Sequence, residues 1–307
     1  MKNIVVVGSS NTDMIIKVAK IPRPGETVLG GEFSMAPGGK GANQAVAAAR
    51  AGGRVTLVAR VGDDLFGAQA LRNFEADQID VRFVARDGRA ASGVALINVG
   101  DDGENSISVA SGANAFLAPE DVRRADEAIG QADIVLMQLE TPLETVRAAA
   151  EMAGRRGIPV LLNPAPARAL DDGLLKNVAI LTPNETEAEI LTGLAVKTVS
   201  DAEKAAASLR RRGPTTTIIT LGDRGCFASS EEFKGVIPAF KVQAVDSTAA
   251  GDVFSGALAV ALAERRPLSE ALRFASAAAA LSVTKLGAQP SAPTRAEIET
   301  FLRASDR

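Results

Sequence analysis

The chain has 307 residues, 46% of them hydrophobic, enough for a sizeable core in one large α/β domain or two ordinary ones. Lys plus Arg number 34 against 37 Asp plus Glu, a net charge of −3 with no basic block to follow a phosphate backbone, so nucleic acid is not expected as a partner. Histidine is absent altogether, which removes Ser-His-Asp and Cys-His schemes and histidine-bound metals and leaves carboxylates, Lys, Ser/Thr and backbone amides to carry any chemistry.

The N-terminal "MKNIVVVGSS" has too short an apolar stretch for a signal peptide, and no run reaches the ~18 residues of a membrane span, so no membrane association is expected. The single cysteine, Cys226 in "GCFAS", fits a reducing compartment and reads as a small buried residue in a strand, and a cytoplasmic protein is expected. Strand-like β-branched runs fall at 4–8, 55–62, 133–139, 159–163, 178–183 and 216–220. Helical periods lie between them at 42–51, 65–77, 142–156 and 201–212, a βα alternation that predicts a mostly parallel sheet. From Asp252 to about Leu286 the pattern is helical, broken near Arg266-Pro267, and a last helix starts at Thr294. Two stretches, 14–33 and 92–109, read instead as strands without helices ("MIIKV", "ETVLGGEF", "GVALINV", "NSISVA"). They suggest a small sheet projecting over one edge as a lid or interface.

Several short segments carry polar chemistry. "GSSNTD" (8–13) places Asn11 and Asp13 after the first strand, at the carboxyl edge where open α/β sheets bind ligands; both are also ordinary turn residues. In "APGGKGANQ" (36–44), glycines ahead of a helix let the backbone approach a ligand, with Lys40 and Asn43 as donors, or simply make a flexible turn. Its spacing is neither a P-loop nor a dinucleotide fingerprint. Glu140 follows an apolar run directly, where a polyol's hydroxyls would satisfy it. In "TPNETEAE", Asn184 and Glu187 have capping-box spacing, or lie near a hydrated Mg²⁺ and phosphates. "TLGDRG" (220–225) is a hairpin turn or a nucleotide rim. In "DSTAAGDVFSG", a turn of Ala249, Ala250 and Gly251 into a helix would converge amide N–H groups on an anion. Asp252 beside it repels a phosphate but suits the removal of a hydroxyl proton during attack; alone, it also reads as a helix cap.

Taken together, "GSSNTDM", "PGGKGANQAVAAAR", "GDD", "MQLETPLE", "NPAPAR", "TPNETEAE", "TLGDRG", "DSTAAGD" and "KLGAQPS" resemble the ribokinase family of carbohydrate kinases, in the family's order over almost the whole chain. The resemblance implies a single 1–307 Rossmann-like α/β domain, mostly parallel and flanked by helices, with a small β-sheet lid inserted at about 12–34 and 90–110 that also clasps a homodimer. It implies ATP-dependent phosphorylation of ribose at O5, with Asp252 as base and Ala249, Ala250, Gly251 and Asp252 as anion hole. Asn11, Thr12, Asp13, Gly39, Lys40, Gly41, Ala42, Asn43, Glu140 and Asp252 would hold the sugar. ATP would meet Asn184, Glu187, Thr220, Leu221, Gly222, Asp223, Arg224, Gly225, Gly251, Asp252 and Ser276, with Mg²⁺ on its phosphates. K⁺ would bind through Asp246 and around Thr248, Ser282, Lys285, Gly287 and Ser291. Ser276 stands where the family can carry a larger residue near adenine, and Ser247 where threonine is common. A kinase of 2-deoxyribose, fructose or a nucleoside such as pseudouridine is the nearest rival. A nicotinamide-dependent oxidoreductase lacks its glycine fingerprint, and a silent sugar sensor is argued against by the retained Asp252.

Overall fold

The structure, a computed structural model, describes residues 1–305. Its strands are β1 (Asn3–Val7), β2 (Asn11–Val18), β3 (Glu32–Gly38), β4 (Arg54–Gly62), β5 (Asp80–Asp87), β6 (Gly93–Gly100), β7 (Asn105–Ala110), β8 (Ile134–Met137), β9 (Val160–Leu162), β10 (Ile180–Leu181), β11 (Thr216–Thr220), β12 (Cys226–Ser229) and β13 (Lys234–Ile237). The helices are α1 (Lys40–Arg50), α2 (Leu65–Ala76), α3 (Pro119–Arg124), α4 (Asp126–Gly130), α5 (Leu143–Gly154), α6 (Asp172–Leu175), α7 (Glu185–Thr192), α8 (Val199–Arg210), α9 (Ala250–Ala263), α10 (Leu268–Ser282) and α11 (Arg295–Ser305).

Nine strands form one sheet in the order β13-β12-β11-β10-β9-β8-β1-β4-β5, parallel from β11 to β5 and antiparallel at the β12 and β13 edge. The all-apolar run of β1 is explained by burial on both faces. Ile4 and Val6 join the core under α1, α9 and α10, while Val5 and Val7 join the core under α3 and α5. A second sheet, in the order β3-β2-β6-β7, confirms the two helix-free stretches as strands.

The second strand of the first stretch is displaced from where its sequence suggested. "ETVLGGEF" forms no strand until Glu32, and β3 runs on through the Pro-Gly to Gly38. Pro22, Pro24 and the left-handed Gly30 and Gly31 break the earlier part, while the register of Lys17 with Glu32 sets the start of pairing. Near the C-terminus, Arg265 in the left-handed region ends the turn after α9, and Pro267 caps α10. The second of these helices ends at Ser282, short of Leu286, because Gly287 and two flanking turns follow.

Candidate active site

The strand order reverses between β1 and β8, and the carboxyl ends of open sheets at such a switch point bind ligands. Ser9 follows β1 and Glu140 follows β8, so the two meet: Ser9 Oγ donates to Glu140 Oε2 at 2.5 Å. The start of α1 is wedged onto the same point. A Cβ on Gly41 would lie 2.4 Å from Ser9 N, and one on Gly39, whose φ is 87°, would lie 2.7 Å from Asn11 N. These glycines therefore admit neighbouring backbone. The first amides of α1 are likewise taken by the protein. Lys40 N donates to Glu140 Oε2 at 2.9 Å, Gly41 N to Ser9 Oγ at 3.2 Å and Ala42 N to Ser9 O at 2.8 Å. This helix N-terminus is internally capped and holds no open anion cradle; it offers the side chains of Lys40 and Asn43.

The first turn of α9 is different. Ala249 caps it from the left-handed region, at φ 59°, with no side-chain cap bond. Ala250 N donates to Ser247 O at 3.2 Å, so one of the three amides expected to converge is occupied by the turn itself. Gly251 and Asp252 begin the turn as exposed backbone and buried carboxylate respectively, and a Cβ on Gly251 would meet nothing within 4 Å. That empty space lies directly beside Asp252, which is 5% exposed. Asn43 Nδ2 donates to Asp252 Oδ2 at 3.0 Å, and Gln44 Nε2 donates to Oδ1 at 2.9 Å. Burial pushes the Asp252 carboxyl above its ordinary range against the pull of the Lys40 ammonium and the two amides, with Glu140 reinforcing burial.

Three carboxylates act on one ammonium here. Burial works to lower the Lys40 pKa, but Asp252, Glu140 and Glu187 outweigh it and leave the ammonium above its usual value. Asp13 is pushed up to about 6, first by burial and then by Glu140 and Asp252. It sits on β2 beside Gly38, whose Cβ would fall 2.3 Å from the Asp13 carboxylate. Strand alternation sends Thr12 to the opposite face of the small sheet from Asn11 and Asp13, so the Thr12 side chain does not share their direction. The structure thus brings Asp13, Lys40, Asn43, Glu140 and Asp252 together; Asn11 joins through Asn114, whose Nδ2 donates to Asn11 Oδ1 at 2.7 Å.

A second group lies along the ends of β10 and β11. Asn184 and Glu187 form the capping box their spacing suggests: Asn184 N donates to Glu187 Oε2, and Glu187 N to Asn184 Oδ1, each at 2.8 Å. Asn184 also bridges Thr220. Thr220 to Gly225 is a hairpin connection, with Leu221 N donating to Gly225 O at 2.8 Å and Arg224 paired with Glu185. Ser276, on α10, bonds the thiol of Cys226, which burial pushes up to about 12 and keeps protonated. Around Asp246, Thr248 N donates to Oδ1 at 2.9 Å and Gly287 N to Oδ2 at 2.8 Å, so the loop before α9 is tied to the loop after α10. These bonds, with that from Thr248 Oγ1, hold the Asp246 carboxyl below its usual range despite burial. Ser282 O accepts from Lys285 N, and the buried Ser291 donates its Oγ to Ala288 O at 2.8 Å. Sequence patterns alone assign no role to Gln44, Asn163, Gln138, Ser9 or Asn114, which are buried behind the site; for Ser9, Gln138 and Asn163 a polar residue just after a strand is the one available signal.

A buried carboxylate at an open helix mouth, beside a lysine and amides, thus lies at the switch point of an α/β sheet, where such sheets bind ligands. The chain belongs to the pfkB family of carbohydrate kinases, whose profile matches residues 1–295. It is 48% identical to the ribokinase of Haemophilus influenzae over 98% of both chains. It is also 40% identical to a deoxyribokinase of Salmonella typhi, covering 99% of this chain and 100% of that one. Its fold matches that of the Arabidopsis thaliana ribokinase complexed with ribose and ATP, with a TM-score of 0.92 and 32% identity over 99% of each chain.

Proposed function

We propose that this chain phosphorylates D-ribose on O5 with ATP, giving D-ribose 5-phosphate and ADP. The observation that carries it is the buried Asp252 carboxylate, bonded by two neutral amides beside the open first turn of α9, in a full-length relative of ribokinases. In this proposal Asn11, Asp13, Lys40, Asn43 and the second oxygen of Glu140 take the sugar's hydroxyls. Asp252 receives the O5 proton as O5 attacks the γ-phosphorus, and the bond to the leaving ADP oxygen breaks in line. Raised above its ordinary range, the Asp252 carboxyl is tuned toward the pH at which it must accept a proton. A positioned base contributes roughly 10²–10⁴ in rate, and each donor to developing charge roughly 10²–10³; the amides of Gly251 and Asp252 are the donors assigned here.

Asn184, Thr220 to Gly225 and Ser276 line the nucleotide's place, Ser276 with a small hydroxyl already shared with Cys226. Among the described residues no group of three or more His, Cys, Asp or Glu is poised to hold a metal ion. Asn184 and Glu187 would face the water shell of an Mg²⁺ carried by the phosphates, and that ion would supply neutralisation of phosphate charge there. The Asp246 carboxylate and the carbonyls around it are the oxygen donors a K⁺ would take, ordering the loop that leads into α9 without touching substrate. Phe33, Met35 and Leu96 are 62, 58 and 53% exposed and, by register with Met14 and Ile16, share the face of the small sheet turned away from Asp13. We assign this patch to a homodimer clasped through the lid segments, with 1–307 acting as one unit. No helix among the described residues is long and apolar enough to cross a membrane, and a cytoplasmic enzyme is the proposal consistent with the single reduced cysteine.

The deoxyribokinase relative gives one specific alternative, 2-deoxyribose as substrate. ADP release measured over ribose, 2-deoxyribose, fructose and nucleosides, with and without K⁺, decides. Ribose should give the highest kcat/KM and K⁺ should raise it. A preference for another sugar overturns the substrate; ATP consumption without any sugar dependence overturns the reaction.

A further inference from the structure

Asp252 is not held by Asn43 alone. Gln44, on the next residue of α1, is fully buried, and both of its amide hydrogens are assigned: one goes to Asp252 Oδ1 at 2.9 Å, the other to Asn163 Oδ1 at 3.0 Å. Its own oxygen accepts from Gln138 Nε2 at 2.6 Å, and Asn163 Nδ2 passes its hydrogen to Thr182 O at 3.0 Å. Four side chains and one carbonyl, from the ends of β8, β9 and β10 and from α1 and α9, thus form a single directed chain of amides. Its polarity is unique. Turning the Gln44 amide over would set its oxygen against the Asp252 carboxylate and Asn163 Oδ1, and would set two NH₂ groups against each other at Gln138.

We propose that Gln44 is a positioning residue for Asp252: locked by Gln138 and Asn163, its amide holds the carboxylate in one orientation and as an acceptor. This inference rests on Asp252 being the base. A donor pointed at Oδ1 bonds the carboxylate and loses its partner's best acceptor when that carboxyl is protonated, so it stabilises the charged form. Neutral amides do this without placing a second positive charge against the oxygen that must receive a proton. Each oxygen accepts a single amide hydrogen, so each keeps acceptor capacity for an incoming hydroxyl. The charged groups facing Asp252 are Lys40 on α1, Glu140 after β8, Asp13 on β2 and Glu187 on α7, and all four remain when Gln44 is changed.

The test is kcat against pH at saturating ribose and ATP for the wild type, Gln44→Met, Gln138→Met and Asp252→Asn. Gln44→Met keeps the length of the side chain and removes the donor, and should move the acid limb of kcat upward by about one to two pH units, the worth of one hydrogen bond to a charged group. Its turnover should fall roughly 10- to 100-fold at pH values below both limbs and recover as the pH rises above them. Gln138→Met, which touches neither Asp252 nor ligand, should move the limb in the same direction by less, through freedom to turn the Gln44 amide. A uniform loss at every pH, or limbs that stay in place, overturns the positioning role. If Gln44→Met does not fold, an unmoved limb in Gln138→Met overturns it alone. Asp252→Asn that keeps near-normal turnover instead overturns the base assignment, and the positioning role with it; inactive Asp252→Asn beside an unmoved Gln44→Met limb sinks only the latter.

Discussion

Asp13 shows what the site costs the fold. A carboxyl forced from its ordinary 3.8 to about 6 by burial and by two like charges binds its proton more tightly folded than unfolded. Its contribution to stability is therefore intact below pH 4 and lost as the pH rises through 6. At pH 7.5 the penalty has a ceiling of about 3 kcal/mol for that shift. Asp13→Asn should accordingly raise the melting temperature at pH 7.5 and leave it unchanged at pH 4, while weakening ribose binding. In the wild type the KM for ribose should climb below pH 6 as the carboxylate takes up its proton. Equal melting temperatures of variant and wild type at pH 7.5 would show that Asp13 is not strained by its neighbours. The type and place of this residue were legible in "GSSNTD", since a strand end at the sheet's carboxyl edge is where polar groups meet ligands. Its perturbed protonation was not, because Glu140 and Asp252 lie more than a hundred residues away in sequence.

At the scale of elements, two helix mouths that read alike in sequence turn out to be opposites. Both α1 and α9 follow glycine-rich or small-residue turns, the first expected to let the backbone approach a ligand and the second to converge amides on an anion. Tertiary contacts separate them: Ser9 and Glu140 arrive from other strands to cap α1, and no side chain caps α9. Local sequence carries no sign of a cap supplied from a hundred residues away. The same blindness misplaced β3, whose start is set by register with β2 and not by the β-branched residues before it. The paired substitutions Gly41→Ala and Gly251→Ala separate packing from chemistry. The first forces a Cβ to within 2.4 Å of Ser9 N and should lower stability sharply, by the few kcal/mol typical of overpacking. In the second the Cβ meets no protein atom within 4 Å, and alanine in a helix should add about 0.5–1 kcal/mol of stability. Turnover of Gly251→Ala should nevertheless fall at least tenfold, because the new methyl enters the space assigned to the phosphoryl group. A melting curve and a rate for each variant are sufficient; a fully active, stabilised Gly251→Ala would remove the anion hole from this helix.

Across the whole molecule, order is unevenly distributed. The three buried apolar clusters are built from the nine-strand sheet and its helices, and none includes a residue of the small sheet. The small sheet instead turns Asp13 toward the site and shows Phe33, Met35 and Leu96 on its other face. Such an element has little apolar burial of its own, so covering it should stabilise it: the proposed ligand on one side and, in the proposed assembly, a second copy on the other. Charging that outer face in the double variant Met35→Glu and Leu96→Glu should therefore convert a dimer into a monomer in sedimentation. Because the main cores are untouched, the melting temperature of the monomer should stay within a few degrees of its parent's. The proposed sugar site, however, takes Asn11 and Asp13 from β2, so loosening the sheet should raise the KM for ribose several-fold more than it lowers kcat. The nucleotide's KM should move little, since Asn184, Thr220 and Gly225, proposed to meet it, lie outside the small sheet. A wild-type chain that sediments as a monomer at enzyme concentrations, or a charged variant that dimerises with an unchanged ribose KM, would separate the lid from any role in assembly.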